Sequence, residues 1–267
     1  MCYEPITIVD SKTRLPQLVS CRRCIECMQT RANEWALRGH FELKQHKQNC
    51  FVTLTYEHDP IFLKKKDMQD FVKRLRKSIA PKKIKYFAAG EYGDQKLRPH
   101  FHIIIFGHDF NDIEYVRKSA SDAPIYESKE LSKLWKHGIA IVQEANVNTI
   151  RYSAKYNAKL KNQLPKHLQE FPEFNTMSQN LGIEPLVNNM ETFIKTDQIY
   201  IDGFAYKIPT KVLEKYAFKQ IGNYVEAYDW VKEFKDKRAY TYRTKEQRQT
   251  AKRLALKKKQ FAGLRTL

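Results

Sequence analysis

His100 and His102 are separated by a single residue in the segment RPHFHIIIFG, residues 98–107. Side chains alternate between the two faces of an extended strand, so the two imidazoles would lie on the same face. They are then either two hydrogen-bonded or solvated histidines on a sheet, or two ligands of one metal ion, since neutral imidazole is a common metal ligand. The spacing alone is consistent with both interpretations.

A carboxylate for the same site is offered by Glu91, in the strand-like segment KIKYFAAGEYG, residues 83–93. The short link to residues 98–107 predicts an antiparallel hairpin, with Glu91 near its turn and within reach of the histidine face. Two histidines and one carboxylate suit a divalent ion such as Mg²⁺ or Mn²⁺, although the set does not exclude Zn²⁺. His108 lies further along the chain and is not expected to be a ligand.

Two tyrosines, Tyr152 and Tyr156, are four residues apart in the segment RYSAKYNAK, and two lysines accompany them, Lys155 and Lys159. On a helix predicted for residues 146–160, the tyrosines would lie one turn apart, with the lysines in a neighbouring stripe. The pattern is typical of an ordinary amphipathic helix. A tyrosine can also be a nucleophile if a metal, a lysine or a base assists its hydroxyl, whose pKa is about 10. Beside a metal ion that polarises a phosphate, it would cleave DNA, form a phosphotyrosine link and free a 3′-hydroxyl.

The net charge favours a polyanionic partner. The chain has 267 residues, with 48 Lys and Arg against 30 Asp and Glu, a formal charge of +18. Nucleic acid is the first candidate, since phosphates release counterions when basic side chains neutralise them, and an anionic membrane surface is the second, although no amphipathic anchor stands out. Residues 232–259 alone hold 12 Lys and Arg against 3 Asp and Glu. This tail is either a solvated helix face or a DNA contact, for which the candidates are Lys252, Arg253, Lys257, Lys258 and Lys259.

Three cysteines, Cys21, Cys24 and Cys27, follow the spacing C-x-x-C-x-x-C. In a reducing cell, clustered cysteines indicate metal or redox chemistry more than disulfides. A structural zinc site needs four ligands, and Cys2 is the natural fourth if the N-terminal arm brings it in. The alternative is that the cysteines are free and reduced at the start of a helix. Cys50 borders a predicted strand and is expected to pack in the core.

The elements that would position these residues are helices mixed with antiparallel strands, which favours an α+β sandwich with helices packed on a sheet. The sequence predicts an extended arm at 1–23 followed by a helix, strands at 50–57, 83–93, 98–107 and 137–145, and helices at 67–79, 127–135 and 146–160. Beyond residue 161 the hydrophobic pattern is weak and predicts a loop or wrapping segment, apart from a hairpin with Asp202–Gly203 at its turn. No signal peptide or membrane-spanning run is evident, so an intracellular protein is expected.

The segments FVTLTY, GEYGDQKLRPHFHIIIFG and RYSAKYNAK, in this order, resemble the three motifs of the HUH endonucleases that start rolling-circle replication. The chain is similar in particular to the replication initiators of gokushoviruses, small single-stranded DNA phages of the microvirus family. Further segments extend this resemblance to about residue 220, namely MCYEP, RANEWALR, EFNTMSQNLGI and IYIDGFAYKIP. One departure is CRRC, where the resemblance leads us to expect a Gly in place of an Arg, which weakens what it implies for the cysteines.

The resemblance implies an HUH fold, with a central antiparallel sheet of about five strands and helices on its faces. It also implies metal ligands, nucleophiles and lysines that position the phosphate or the metal, which are respectively Glu91, His100 and His102, then Tyr152 and Tyr156, then Lys155 and Lys159. The activity would be nicking and rejoining of single-stranded DNA at the origin of a phage genome. A plasmid initiator, a relaxase or a transposase would use the same chemistry. A zinc-containing nucleic-acid-binding protein without activity is the alternative from another class.

Three segments are expected along the chain: an N-terminal arm with the cysteine cluster and a helix (1–48), an HUH nuclease core (49–160), and a C-terminal extension with a hairpin and the basic tail (161–267). No G-x-x-x-x-G-K-[ST] motif of a helicase occurs, so a host helicase would have to unwind the duplex. The expected partners are therefore single-stranded origin DNA, a host helicase and a host polymerase, in the cytoplasm of a bacterial host and without a membrane.

Overall fold

The computed structural model describes residues 2–9, 14, 16–58, 62–93, 96–155, 164–237, 250 and 253. The chain divides into two compact units. One consists of residues 32–215, and the other combines residues 1–31 with residues 216–267. The expected division at residues 48 and 160 follows function rather than compactness and stays a prediction.

The main element of the fold is a seven-stranded antiparallel sheet. The strands of the chain are β1 (Ile6–Val9), β2 (Pro16–Val19), β3 (Asn49–Tyr56), β4 (Lys85–Tyr92), β5 (Pro99–Phe106), β6 (Ile113–Lys118), β7 (Pro124–Ser128), β8 (Gly138–Glu144), β9 (Phe174–Met177), β10 (Gln198–Ile201) and β11 (Phe204–Lys207). The helices are α1 (Ile25–Leu43), α2 (Lys65–Ser78), α3 (Lys129–Leu134), α4 (Val147–Lys155), α5 (Ile183–Asn188), α6 (Met190–Phe193), α7 (Thr210–Ile221) and α8 (Tyr224–Lys237), with a 3₁₀-helix at Lys166–Leu168. The sheet order is β6-β7-β8-β3-β5-β4-β9, so the predicted α+β class is confirmed.

The strand number differs from the expectation of about five, because three strands escape the sequence pattern. All residues of β6 are exposed, so this edge strand has no alternation of buried and exposed side chains, and its neighbour β7 is only five residues long. The sequence predicts a loop or wrapping segment where β9 lies, yet β9 pairs with β4 from Phe87↔Met177 to Gly90↔Phe174. Four residues are too few to establish a period of two.

One face of the sheet is covered by α2 and α3. The apolar stripe predicted for α2 is confirmed, since its buried residues are Met68, Phe71, Val72 and Leu75. They join one core cluster with side chains of β3, β5 and the end of α3, including Leu54, Phe101, Ile103 and Trp135. Cys50 belongs to the same cluster, as expected of a core residue. This face therefore holds the larger apolar core and carries no candidate site.

The opposite face of the sheet is covered by α1 and α4. The buried residues of this second cluster include, from the sheet, Phe51, Phe87, Ile104 and Phe106, and, from the helices, Ala32, Ala36, Ile150 and Ala154. The two helices approach closely, because a Cβ on Gly39 of α1 would lie 2.8 Å from Cγ2 of Ile150. His100 and His102 alternate with the residues of the first core and so belong to this second face.

Helix α4 begins with a reciprocal cap. The side-chain Oδ1 of Asn146 accepts hydrogen bonds from the backbone N–H groups of Asn148 at 2.9 Å and Thr149 at 3.1 Å. In return, the Thr149 hydroxyl accepts from the backbone N–H of Asn146 at 2.9 Å. The sequence left Asn146 and Asn148 as alternative caps, and the structure assigns the role to Asn146.

Replacing Asn146 with Ala is expected to lower the free energy of unfolding by about 1 kcal/mol, because two backbone donors lose their acceptor. The matched variant is Asn148→Ala, since Asn148 is exposed and contributes only its backbone N–H to the cap. Urea denaturation of both variants and the wild type measures the difference. Equal losses in the two variants would contradict the assignment.

The hairpin predicted beyond residue 161 is confirmed as β10–β11, in which Ile201 pairs with Phe204. Its turn residues, Asp202 and Gly203, have φ angles of 50° and 76°. A two-residue turn of type I′ needs positive φ at both positions, and an Asp-Gly pair accepts this at little cost.

The unit that contains the N-terminus starts with a second hairpin rather than with a simple extended arm. Strands β1 and β2 pair from Ile6↔Val19 to Val9↔Pro16. The helix predicted after them is confirmed as the start of α1. Within the described part of the chain, no helix combines the length and apolarity that a membrane crossing would require.

Candidate metal and nucleophile site

Strands β4 and β5 bring the three predicted metal ligands together. Their register places Glu91 opposite His100 and Ala89 opposite His102, so both imidazoles and the carboxylate share a face. The Nε2 atoms of His100 and His102 each lie 2.7 Å from Oε1 of Glu91. Glu91 is 1% exposed and His102 is 6% exposed. The cluster is therefore a compact and nearly dry set of one oxygen and two nitrogen donors.

The hydrogen bonds of the outer ring nitrogens indicate which atoms face the centre of the cluster. Nδ1 of His100 lies 3.0 Å from the carbonyl oxygen of Arg98, which can only accept, so this nitrogen carries the proton. In a neutral ring, Nε2 then presents a lone pair to Glu91, and a proton or a cation must separate the two. Nδ1 of His102 contacts the Thr53 hydroxyl at 2.9 Å, which can donate or accept. Such an outer partner is typical of metal-ligating histidine.

A second buried carboxylate in the fold serves as a comparison. Both side-chain oxygens of Glu42 have partners: Oε1 contacts His46 at 2.8 Å, and Oε2 accepts from Lys85 at 2.9 Å and from the backbone N–H of Gly182 at 2.7 Å. In contrast, Oε2 of Glu91 is buried and has no hydrogen-bond partner among the described residues. Glu42 is satisfied by the fold, whereas Glu91 retains an acceptor for a cation, so the donor set fits a divalent metal ion.

The protonation states also suit metal binding. Burial alone would raise the pKa of Glu91, but the hydrogen bonds from His100 and His102 outweigh it and hold this pKa below its ordinary value. Burial lowers the pKa of His102, and the neighbouring carboxylate offsets only part of this effect. A charged carboxylate and a neutral imidazole are the forms that ligate a cation.

The predicted nucleophile Tyr152 lies beside this cluster. Its ring centroid is 5.2 Å from that of His102, at an interplanar angle of 75°. On the sheet, Phe51 stacks on His102 with a centroid distance of 5.3 Å. Tyr152 itself is 43% exposed, so its ring reaches both the metal-ligating cluster and the solvent from which DNA would approach.

The other members of the tyrosine motif are only partly covered by the structure. Lys155 is the last residue of α4, but nothing is described of its side chain. Tyr156 and Lys159 lie outside the described residues. Their roles as second nucleophile and as phosphate-positioning lysines therefore stay predictions.

The four predicted zinc ligands also converge. One Sγ each from Cys2, Cys21, Cys24 and Cys27 lies within 4.8 Å of all the others. The sulfur of Cys2 accepts from the backbone N–H of Cys21 at 3.3 Å, and the sulfur of Cys21 accepts from that of Cys24 at 3.3 Å. Burial would raise the pKa of Cys21, but hydrogen bonds from backbone N–H groups help lower it to about 7. Arg22, where the resemblance led us to expect Gly, has a φ of 60°, a conformation that favours glycine.

Residues 49–161 match the family model of the replication-associated protein ORF2. The chain belongs to this family. Its curated relatives include replication-associated protein ORF4 of Chlamydia phage 1, which is 35% identical over 205 residues, covering 71% of this chain and 51% of the relative. Replication-associated protein ORF2 of Spiroplasma virus 4 is 32% identical over 196 residues, covering 68% of this chain and 61% of the relative. Replication-associated protein VP4 of Bdellovibrio phage phiMH2K is 31% identical over 149 residues, covering 52% and 47%.

The chain thus spans about half to three fifths of the length of these curated relatives. No solved structure matches it significantly. The family model covers the strands and the helix that carry Glu91, His100, His102 and Tyr152, but it includes neither the cysteine cluster nor β9. The metal and nucleophile site therefore lies in the region that the ORF2 replication-protein family shares.

Strand β9 adds a residue that the sequence did not suggest. Asn175 pairs with Ala89, which in turn pairs with His102, so the Asn175 side chain lies on the histidine face. Met177, two residues later, packs against the cluster on the same face. Both polar atoms of the Asn175 carboxamide are buried without a hydrogen-bond partner in the described part of the chain. Only the sheet register reveals this neighbour, because β9 is too short for a sequence pattern.

The remaining candidates lie apart from the metal cluster or outside the described residues. His108, which was not expected to be a ligand, is buried against the ring of Phe110 at a centroid distance of 5.0 Å, and it is absent from the metal-ligand cluster. In the basic tail, Arg253 is helical and exposed. The other four tail candidates, Lys252, Lys257, Lys258 and Lys259, lie outside the described residues, and DNA contact by the tail stays a prediction.

Proposed function

We propose that this phage replication-associated protein is a metal-dependent, site-specific nickase and ligase of single-stranded DNA, which starts rolling-circle replication of a phage genome. The single observation that carries the proposal is the position of Tyr152, an exposed phenol 5.2 Å from the ring of a buried histidine in a Glu–His–His cluster. The fold would be that of an HUH endonuclease. The formal charge of +18 suits a DNA substrate.

Glu91, His100 and His102 would hold a Mg²⁺ or Mn²⁺ ion, which supplies charge that polarises the scissile phosphate. The Tyr152 hydroxyl then attacks phosphorus, the bond to the 3′-oxygen breaks, and the proton lost by tyrosine balances the one gained by the departing 3′-hydroxyl. The product is a 5′-phosphotyrosine. Attack of a 3′-hydroxyl on this link reverses the step and rejoins the strand. Tyr156 would provide a second nucleophile, with Lys155 and Lys159 positioning the phosphate.

The two clusters differ in donor chemistry and would bind different metals. Oxygen and imidazole donors accept Mg²⁺ or Mn²⁺, whereas four thiolates favour Zn²⁺ in a closed structural site. The partners would be single-stranded origin DNA, which basic residues of the tail would contact, and a host helicase and polymerase in the bacterial cytoplasm.

A second candidate function is a zinc-containing nucleic-acid-binding protein without catalysis, which the four-cysteine cluster favours. It would retain the zinc and the affinity for DNA, and Tyr152 would be structural. A plasmid initiator, relaxase or transposase would share the chemistry but act on another DNA.

A covalent-capture experiment separates catalysis from binding alone. The protein is incubated with single-stranded DNA containing the phage origin and Mn²⁺, and covalent complexes are resolved on denaturing gels. We expect a protein–DNA adduct that is lost when Tyr152→Phe and Tyr156→Phe are combined. No adduct from a folded preparation, or an adduct that survives both substitutions, would exclude the tyrosine mechanism.

A further inference from the structure

Arg151 immediately precedes the candidate nucleophile on α4, and it is held in place by the hairpin β10–β11. Its Nε donates a hydrogen bond to the hydroxyl of Tyr206 at 3.0 Å, and Nη2 donates to the same oxygen. The guanidinium also lies over two aromatic rings, 4.7 Å from the centroid of Phe204 and 5.8 Å from that of Tyr206. The position of the cation is therefore determined by neutral groups.

The charge of Arg151 is not neutralised by the fold. No ion pair joins Arg151 to a carboxylate within the part of the chain that the structure describes. A guanidinium has five N–H donors in a rigid fork, and the bonds to Tyr206 engage only one side of it. A half-buried arginine that is fixed by aromatic groups and lacks an acidic partner is suited to a phosphate, which the fork can bind through two donors.

An exposed aromatic ring accompanies this cation. Phe204 is 59% exposed although it lies against Arg151, whereas its strand neighbour Tyr206 is only 6% exposed. The buried side chain of the pair thus anchors the arginine, and the open one presents a ring to solvent. Proteins that bind single-stranded nucleic acid combine these two features, a cation on the backbone and a ring on which a base stacks.

We propose that Arg151 and Phe204 form a binding subsite for single-stranded DNA beside the nucleophile, in which Arg151 holds a backbone phosphate and Phe204 stacks on a base. Because Arg151 and Tyr152 are consecutive residues, whose Cα atoms are about 3.8 Å apart, the nucleotide held there is close to the one that Tyr152 attacks. The subsite rests on the proposed function only for its substrate. It requires that single-stranded DNA binds, not that it is cut.

Equilibrium binding tests the subsite without cleavage. The background is the full chain carrying Tyr152→Phe and Tyr156→Phe, and the ligands are a fluorescent oligothymidine and an abasic oligonucleotide of equal length, titrated over a range of salt concentrations. We expect Arg151→Gln to weaken binding of both ligands and to reduce the slope of log K against log salt by about 0.7, the value for one phosphate contact on a single strand. Arg151→Lys should retain this slope because it retains the charge.

Phe204→Leu is expected to weaken binding of oligothymidine by about tenfold, while the affinity for the abasic ligand and the salt slope stay unchanged. Tyr206→Phe is the structural control, since it removes the anchoring hydroxyl and keeps the ring. If Arg151 only ties α4 to the hairpin, Arg151→Gln and Tyr206→Phe will lower the melting temperature alike and leave the salt slope intact, which would overturn the proposal.

The two proposals fail separately. Salt slopes that change as expected in a protein that forms no covalent adduct would support the subsite and contradict the nickase. An adduct from the wild type together with an unchanged slope in Arg151→Gln would do the reverse.

Discussion

Replacing His100 and His102 together with Ala is expected to abolish nicking of single-stranded DNA and to leave most of the DNA binding intact. The two rings contribute the nitrogen donors of the cluster, and without them Glu91 alone would not hold a divalent ion. A bound metal ion contributes several kcal/mol of transition-state stabilisation, so the single-turnover rate should fall by about a thousandfold or more. Binding depends mainly on basic side chains and should change little. Single-turnover cleavage with Mn²⁺ and fluorescence anisotropy measure the two effects.

Two matched variants sharpen this test. Glu91→Gln keeps the shape of the side chain and removes its charge, so a high Mn²⁺ concentration should restore part of its activity but none of that of the double histidine variant. His167→Ala removes an exposed histidine on the 3₁₀-helix and should cleave like the wild type. Metal-dependent cleavage by the double histidine variant would show that the ion is held elsewhere.

Replacing Cys21 and Cys24 together with Ser is expected to remove one equivalent of zinc from the purified protein and to unfold residues 1–31. A structural zinc site contributes about 10–16 kcal/mol of binding free energy in small peptides, and this energy stabilises the fold that assembles the ligands. Cys2 lies on the N-terminal arm and Cys27 on α1, so the ion would connect segments that the chain alone does not hold together. Metal analysis and hydrogen exchange of residues 1–31 measure the loss.

The matched variant for the cysteines is Cys50→Ala, because Cys50 is equally buried but belongs to the main core. It should lose stability and keep its zinc. Substitution with Co²⁺ gives a second measurement, since four thiolate ligands produce a sulfur-to-cobalt charge-transfer band. A wild-type protein that is purified without chelator, contains no zinc and develops no such band would contradict the site.

The sequence by itself determined the chemistry of the Glu–His–His cluster, because short-range rules govern it. A period of two puts His100 and His102 on one face of a strand whatever the neighbouring strands are. The short link before them returns the chain as an antiparallel neighbour, which brings Glu91 opposite His100. The same kind of rule predicted the turn at Asp202–Gly203, since only a few residues accept positive φ.

Only the tertiary structure decided which other groups stand around that cluster. Arg151 and Tyr206 are 55 residues apart in the sequence, and neither has a local pattern that marks the other as its partner. Strand β9 joins the sheet through its pairing with β4, which places Asn175 near the histidines although its four residues show no period. Long-range contacts of this kind depend on which surfaces pack together, and hydrophobic periodicity records that a residue is buried but not which residue covers it.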